Sequence, residues 1–180
     1  MTSRILIGLA ICAIAAGPAF AGDAADALQD SFLRRTRINR VGMSVLGGWA
    51  VANIVGGTAL SFTELGDPAF HQMNALWNTV NLGLAGFGLY QAYRGPQPAT
   101  FAAEIRAQHA IEKVLLVNAG LDVAYIATGF FLTQLESGPM AENYPGWGRA
   151  LMLQGGFLLI FDVVMYAIHS RSRPYERALP

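Results

Sequence analysis

Four apolar stretches, each long enough to cross a bilayer, alternate with short polar links along this chain, and no other feature limits its folding so severely. They cover residues 41–62, 70–93, 113–135 and 147–169. A span needs about 20 apolar residues, so four of them use roughly 80. Hydrophobic residues make up 53% of the 180, and charged residues only 13%. A soluble domain carries about 25% charge, so this composition overfills a soluble core and fits a small membrane bundle. Gly, Ala, Leu and Val dominate all four stretches, which suits helices packed in lipid. The alternating segments of a closed barrel do not appear. The expected fold is therefore all-α: an integral membrane four-helix bundle preceded by a signal-like segment. The apolar content excludes a disordered chain, and a net charge of +0 excludes the basic field of a nucleic-acid binder.

The organisation follows from the links. Residues 1–21 resemble a secretory signal, with Arg4, an apolar run over 5–16, a Gly17-Pro18 break and Ala19-Phe20-Ala21 as a cleavage motif. The other reading of this segment is an uncleaved first helix. It holds the chain's single cysteine, Cys12, so a mature chain would have no disulfide and no thiolate. Residues 22–40 form a polar surface segment, residues 41–170 the four-helix transmembrane domain, and residues 171–180 a basic tail. Residues 101–112 read as a short amphipathic helix at the surface. Arg94-Gly95-Pro96-Gln97-Pro98 ends the second span, because proline cannot continue the hydrogen-bond ladder.

Ten of the twelve Lys and Arg residues lie in the polar segment 22–40, between spans two and three, or in the tail. The positive-inside rule assigns that basic side to the cytoplasm. A cleaved signal would instead place the mature amino terminus outside, and an uncleaved helix removes the conflict. The expected location is the bacterial inner membrane, multi-pass, in contact with the lipid bilayer. The small size fits a homo-oligomer or a subunit of a larger membrane complex.

A shift of 72 residues lays span one on span three. Gly48, Val51, Ala52, Ile54, Gly57 and Leu60 then meet Gly120, Val123, Ala124, Ile126, Gly129 and Leu132, and Glu64 and Gly66 meet Glu136 and Gly138. Spans two and four align more weakly at a shift of 76, where Asn78 meets Gln154 and Tyr90 meets Tyr166. The bundle thus reads as one helical hairpin repeated. Gly48, Ala52 and Gly56, with Gly120, Ala124 and Thr128, are expected to form small-residue packing seams. Residues 83–88 (GLAGFG) follow no strand, so they suit packing and not a nucleotide loop.

The informative residues are polar ones inside the spans. His71, Asn74, Asn78 and Asn81 lie on one face of span two. Asn118, Asp122 and Tyr125 share a face of span three, while Gln154, Asp162, Tyr166 and His169 share a sector of span four. Asn53 is the polar residue within span one. A carboxylate at the bilayer centre costs about 2.5–3.5 kcal/mol, so these groups must turn inward and meet. Counting from the basic boundary puts Asp122 and Asp162 at one level, about 12–14 Å deep. The same count pairs Asn53 with Asn81 and Asn78 with Gln154, a polar ladder through the bundle. Two carboxyls in so low a dielectric would share a proton or sit neutral.

Three functions suit such a ladder. The first is a non-enzymatic binding or accessory subunit whose polar core also hydrogen-bonds the helices together. The alternative is a small proton-coupled transporter using Asp122 and Asp162. The third is a redox subunit holding haem or quinone near His109 and His169, which both lie near the basic boundary. No cofactor is expected from the first two readings. His109 falls beside Glu104, Arg106 and Glu112, where a solvated face explains it, and the Glu-x-x-His spacing of di-iron bundles is missing. No metal is expected, and no hydrolase or nucleotide motif marks a catalytic residue. Trp49 and Trp77 fit packing, and Trp147 fits the interfacial belt.

Four strings stand out together: RINRVGM at 37–43, FHQMNALWNTVN at 70–81, NAGLDVAY at 118–125 and LQGGFLLIFD at 153–162. With them the chain, from Thr36 to His169, resembles an uncharacterised bacterial four-span membrane-protein family, a domain of unknown function. The resemblance implies a signal peptide followed by four spans. It implies no activity.

Overall fold

The computed structural model describes residues 18–172, which form four α-helices with no strand among them. These are α1 (Pro18–Leu60), α2 (Pro68–Arg94), α3 (Phe101–Thr133) and α4 (Tyr144–Arg171). The signal-like segment lies outside the described residues as far as residue 17, as do Arg173 and Arg177 of the basic tail; residues 18–21 form the first turn of α1.

Local chemistry sets the helix ends. Asp67 caps α2, its Oδ1 accepting from the backbone N–H of Ala69 at 2.9 Å, and Pro68 occupies the first turn, where no N–H is needed. Thr100 caps α3 through Ala103 N–H at 3.2 Å. Gly95 closes α2, ahead of Pro96 and Pro98. No comparable signal interrupts α1 at residue 40 or α3 at residue 112. The polar segment 22–40 and the amphipathic segment 101–112 are therefore not separate surface helices but the first parts of α1 and α3. With 43 residues, α1 is about 65 Å long, twice the hydrocarbon thickness of a bilayer.

Three helices, α1, α3 and α4, are long and apolar enough to cross a membrane. The 27-residue α2 is long enough, but its asparagines lower its average hydropathy. Those same residues, Asn74, Asn78 and Asn81, are buried, whereas Leu76, Val80, Leu84 and Phe87 are 56–66% exposed. The pattern is general in this protein: polar side chains lie inside and large apolar ones outside, the reverse of a soluble core.

The helices pair as α1 with α2 and α3 with α4, and the pairs meet mainly through α2 and α4. Glycines set the closest approaches. A Cβ on Gly57 would stand 2.7 Å from the His71 carbonyl oxygen, and one on Gly129 2.6 Å from that of Gly148. Gly57 and Gly129 are matched positions of the 72-residue shift. So are Gly66 and Gly138, the two positive-φ residues of the described chain, at φ 84° and 133°. The expected seams, by contrast, face open space: nothing lies within 4 Å of a Cβ on Gly48, Gly56 or Gly120, while Ala52, Ala124 and Thr128 are exposed. The true seam of α1 is one residue further on, where Gly57 follows Asn53 by one turn and so shares its inward face.

Candidate ligand-binding site

The buried amides form a hub that joins three helices. Asn74 of α2 donates from Nδ2 to Asn53 Oδ1 of α1 at 2.7 Å, and its Oδ1 accepts from Gln154 Nε2 of α4. Gln154 Oε1 accepts from Trp49 Nε1 at 2.9 Å, and Asn53 Nδ2 donates to the Trp49 carbonyl oxygen at 2.8 Å. Trp49 stacks on Phe157 with ring centroids 3.9 Å apart. Every side-chain amide in this hub has a partner, so it holds helices together and leaves little to offer a ligand. Asn78 donates to its own helix, at the Asn74 carbonyl oxygen, and Asn81 donates to Asn78 Oδ1. The expected pairs Asn53–Asn81 and Asn78–Gln154 do not form. Asn74 takes both Asn53 and Gln154, because height along a helix leaves its rotation free.

Closer to the basic end, Asp122 of α3 and Asp162 of α4 interact directly through their carboxyls. Gly155 brings the helices together there, since a Cβ on it would lie 2.9 Å from the Asp122 carbonyl oxygen. Both aspartates are buried, at 2% and 5% exposure. Carboxylates accept and do not donate, so a bond between the two needs a proton held in common. Among the described residues, Asp122 Oδ2 is the one buried side-chain nitrogen or oxygen that no donor outside the aspartate pair reaches.

Both carboxyls line a cavity of about 850 Å³ between the two hairpins. Its walls are largely apolar, with Met43 and Leu46 from α1, Leu84 and Phe87 from α2, Ile111 and Val114 from α3, and Phe161 from α4. Asn81, Asn118 and Tyr125 also line it, as does Trp77, whose ring meets Tyr125 edge-on at 4.8 Å. A space of this size and polarity is typical of small-molecule sites. Two of the expected site residues lie elsewhere. His71 turns a ring nitrogen to the Leu65 carbonyl oxygen, 3.0 Å away in the α1–α2 link, and Tyr166 is half-buried outside the cavity lining.

A second polar cluster closes the basic end. Arg35 of α1 makes a two-pronged ion pair with Glu104 of α3, Nε to Oε1 at 2.7 Å and the terminal nitrogen to Oε2 at 2.9 Å. His169 is fully buried, with Nε2 2.9 Å from Asn39 Oδ1 and Nδ1 3.2 Å from Gln108 Nε2. Gln108 also donates to Glu112 at 3.0 Å. Glu104 and Glu112 are buried, which corrects the solvated face expected there, and Gln108 between them is buried too. Both ring nitrogens of His169, one of the two histidines of the haem reading, are engaged, with Asn39 and Gln108. Among the described residues no three His, Cys, Asp or Glu side chains gather closely enough to hold a metal. The signal for this cluster was in the sequence: three long polar residues at four-residue spacing on one helix face.

No curated protein and no solved structure matches the chain. One family does, over residues 45–163, a stretch that takes in the amide hub and both buried aspartates but stops short of Asn39 and His169. By that match the chain belongs to DUF6992, a family of unknown function.

Proposed function

We propose that this protein is a four-span bacterial inner-membrane protein and a non-enzymatic binding subunit, whose two hairpins hold a small, mostly apolar ligand between them. One observation carries the binding reading: a buried carboxyl oxygen that no donor outside the aspartate pair reaches, Asp122 Oδ2, in the lining of an apolar cavity. A buried acceptor left unpaired costs about 1–3 kcal/mol, and a donor from a bound molecule removes that cost. The cavity also lacks large side chains at Ala107 and Ala110, where α3 faces it. Protein purified in a mild non-ionic detergent is expected to carry one small molecule per chain in native mass spectrometry. Ala107→Phe, which fills the cavity, is expected to lose it. A bare chain in both samples would sink the reading.

The fourth span is α2. It runs beside the apolar part of α1, from Gly57 against Ala75 to Gly88 against Met43, and its outer face is apolar. Its asparagines lower an average that takes no account of direction. Two hairpins of one ancestry account for the paired glycines at 57 and 129 and at 66 and 138. The positive-inside rule then places the basic end in the cytoplasm. In a Cys12→Ser background, single cysteines at Thr63 and at Gln97 are expected to react with an impermeant thiol reagent from opposite sides of the membrane. Labelling of both from one side would remove α2 from the list of spans.

A further inference from the structure

We propose that the ligand presents a singly charged ammonium group to the Asp122–Asp162 pair and lays an apolar chain along the cavity toward the basic end. The proposal rests on the binding reading above and names its ligand class.

The shape comes first. Along α3 the lining runs from Ala107 to Tyr125, which at the helical rise is about 27 Å. That length suits a single extended chain. Met43, Leu84, Phe87 and Phe161 give it an apolar wall.

Charge then selects the head group. Two carboxyls holding one proton between them keep one negative charge. Among the described residues, no cation pairs with either aspartate. Arg35 is committed to Glu104, and Arg149 to Asp67 at the far end of the bundle. Arg40 donates to the Ala92 carbonyl oxygen and lies over the Tyr93 ring. Arg106 and Lys113 are exposed. An anionic head would be repelled, and a neutral one would leave the charge unanswered in a low dielectric. An ammonium group carries the opposite charge and three donors with no acceptor, which suits a floor made of acceptors. Asp122 Oδ2 accepts from no group outside the pair, so it can take one of those donors. Trp77 and Tyr125, the latter within one turn of Asp122, add aromatic surface that favours a cation.

The test uses the full chain in a non-ionic detergent and three probes with the same tail: n-octylammonium, 1-octanol and octyl sulfate. Trp77 fluorescence reports occupancy, and Trp77→Phe identifies the signal as its own. Octylammonium is expected to bind about tenfold more tightly than octanol, the ratio that one charge-assisted hydrogen bond supplies. Octyl sulfate is expected to give no response. Asp122→Asn and Asp162→Asn are each expected to bring ammonium and alcohol to similar affinity while leaving the alcohol unchanged. Equal binding of all three probes by the unsubstituted protein would overturn the ammonium proposal and leave the cavity reading standing. No Trp77 response to any probe would overturn both. Should neither asparagine variant fold, the order of the three probes on the unsubstituted protein decides the matter.

Discussion

Arg35→Ala is expected to cost this protein about 3–5 kcal/mol of stability, the largest loss from any single side chain in the bundle. The reason lies in what it leaves behind. Glu104 is 1% exposed, and both its oxygens are held by the Arg35 guanidinium. Without that partner a carboxylate stays buried with no counter-charge. The geography adds to the effect. Helix α1 touches α3 and α4 only sparingly, so the Arg35–Glu104 pair and the Asn39–His169 bond, with Trp49 on Gln154 and Phe157, are its principal ties to the second hairpin. Reversible unfolding in mixed detergent micelles measures the loss. A control separates lost pairing from lost packing. In the double variant Arg35→Met with Glu104→Leu, most of the stability is expected to return, because apolar side chains of similar volume substitute well for a buried ion pair. If Arg35→Ala unfolds like the unsubstituted protein, the basic-end cluster is not what ties α1 to the second hairpin.

This pair also shows where sequence reasoning reaches its limit. The four long helices and most of their ends were legible, because Asp67-Pro68, Gly95-Pro96 and Pro145 are strong local signals that need no tertiary knowledge. The starts of α1 and α3 were not, since each absorbs a segment read as a separate surface helix. The inward faces were legible too, since Asn74, Asn78, Asn81, Asp122, Gln154 and Asp162 could not face hydrocarbon, and all are buried. Partners were not. A residue count gives height along the axis, and hydrogen bonding also depends on rotation about it. Asn53 therefore bonds to Asn74 and not to Asn81. The Asp122–Asp162 contact formed between helices that Gly155 brings close where it meets the Asp122 backbone. The basic-end cluster failed for a different reason. Charged side chains near a helix start are usually solvated, so Glu104 and Glu112 looked superficial. What buries them is the polar amino-terminal part of α1, which continues the helix as a wall of partners, a property of two helices at once.

Gly148→Leu is expected to push α3 and α4 apart and to cost about 3 kcal/mol, read as a lower melting temperature in detergent. At this crossing each glycine stands where the other's backbone leaves no room for a side chain. A Cβ on Gly129 would lie 2.6 Å from the Gly148 carbonyl oxygen, and a Cβ on Gly148 would run into the Gly129 carbonyl oxygen and lie 3.0 Å from the Thr133 nitrogen. These obstacles are backbone, which cannot rotate aside as a side chain can. The helices must therefore separate, and the dispersion contacts along their seam weaken with them. Helix propensity works the other way, since leucine is favoured over glycine by somewhat under about 1 kcal/mol in a helix interior. Gly56→Leu isolates that term, because nothing lies within 4 Å of its Cβ position. It is expected to melt at or slightly above the unsubstituted temperature. The same displacement reaches the proposed floor of the cavity. Gly155 lies two turns beyond Gly148 on α4 and holds the Asp122 backbone at the same seam. A bundle that loses the Gly129–Gly148 approach is thus expected to lose the octylammonium preference as well. A variant that keeps both its melting temperature and that preference would mean that α3 and α4 do not need this glycine pair to bring the two carboxyls together.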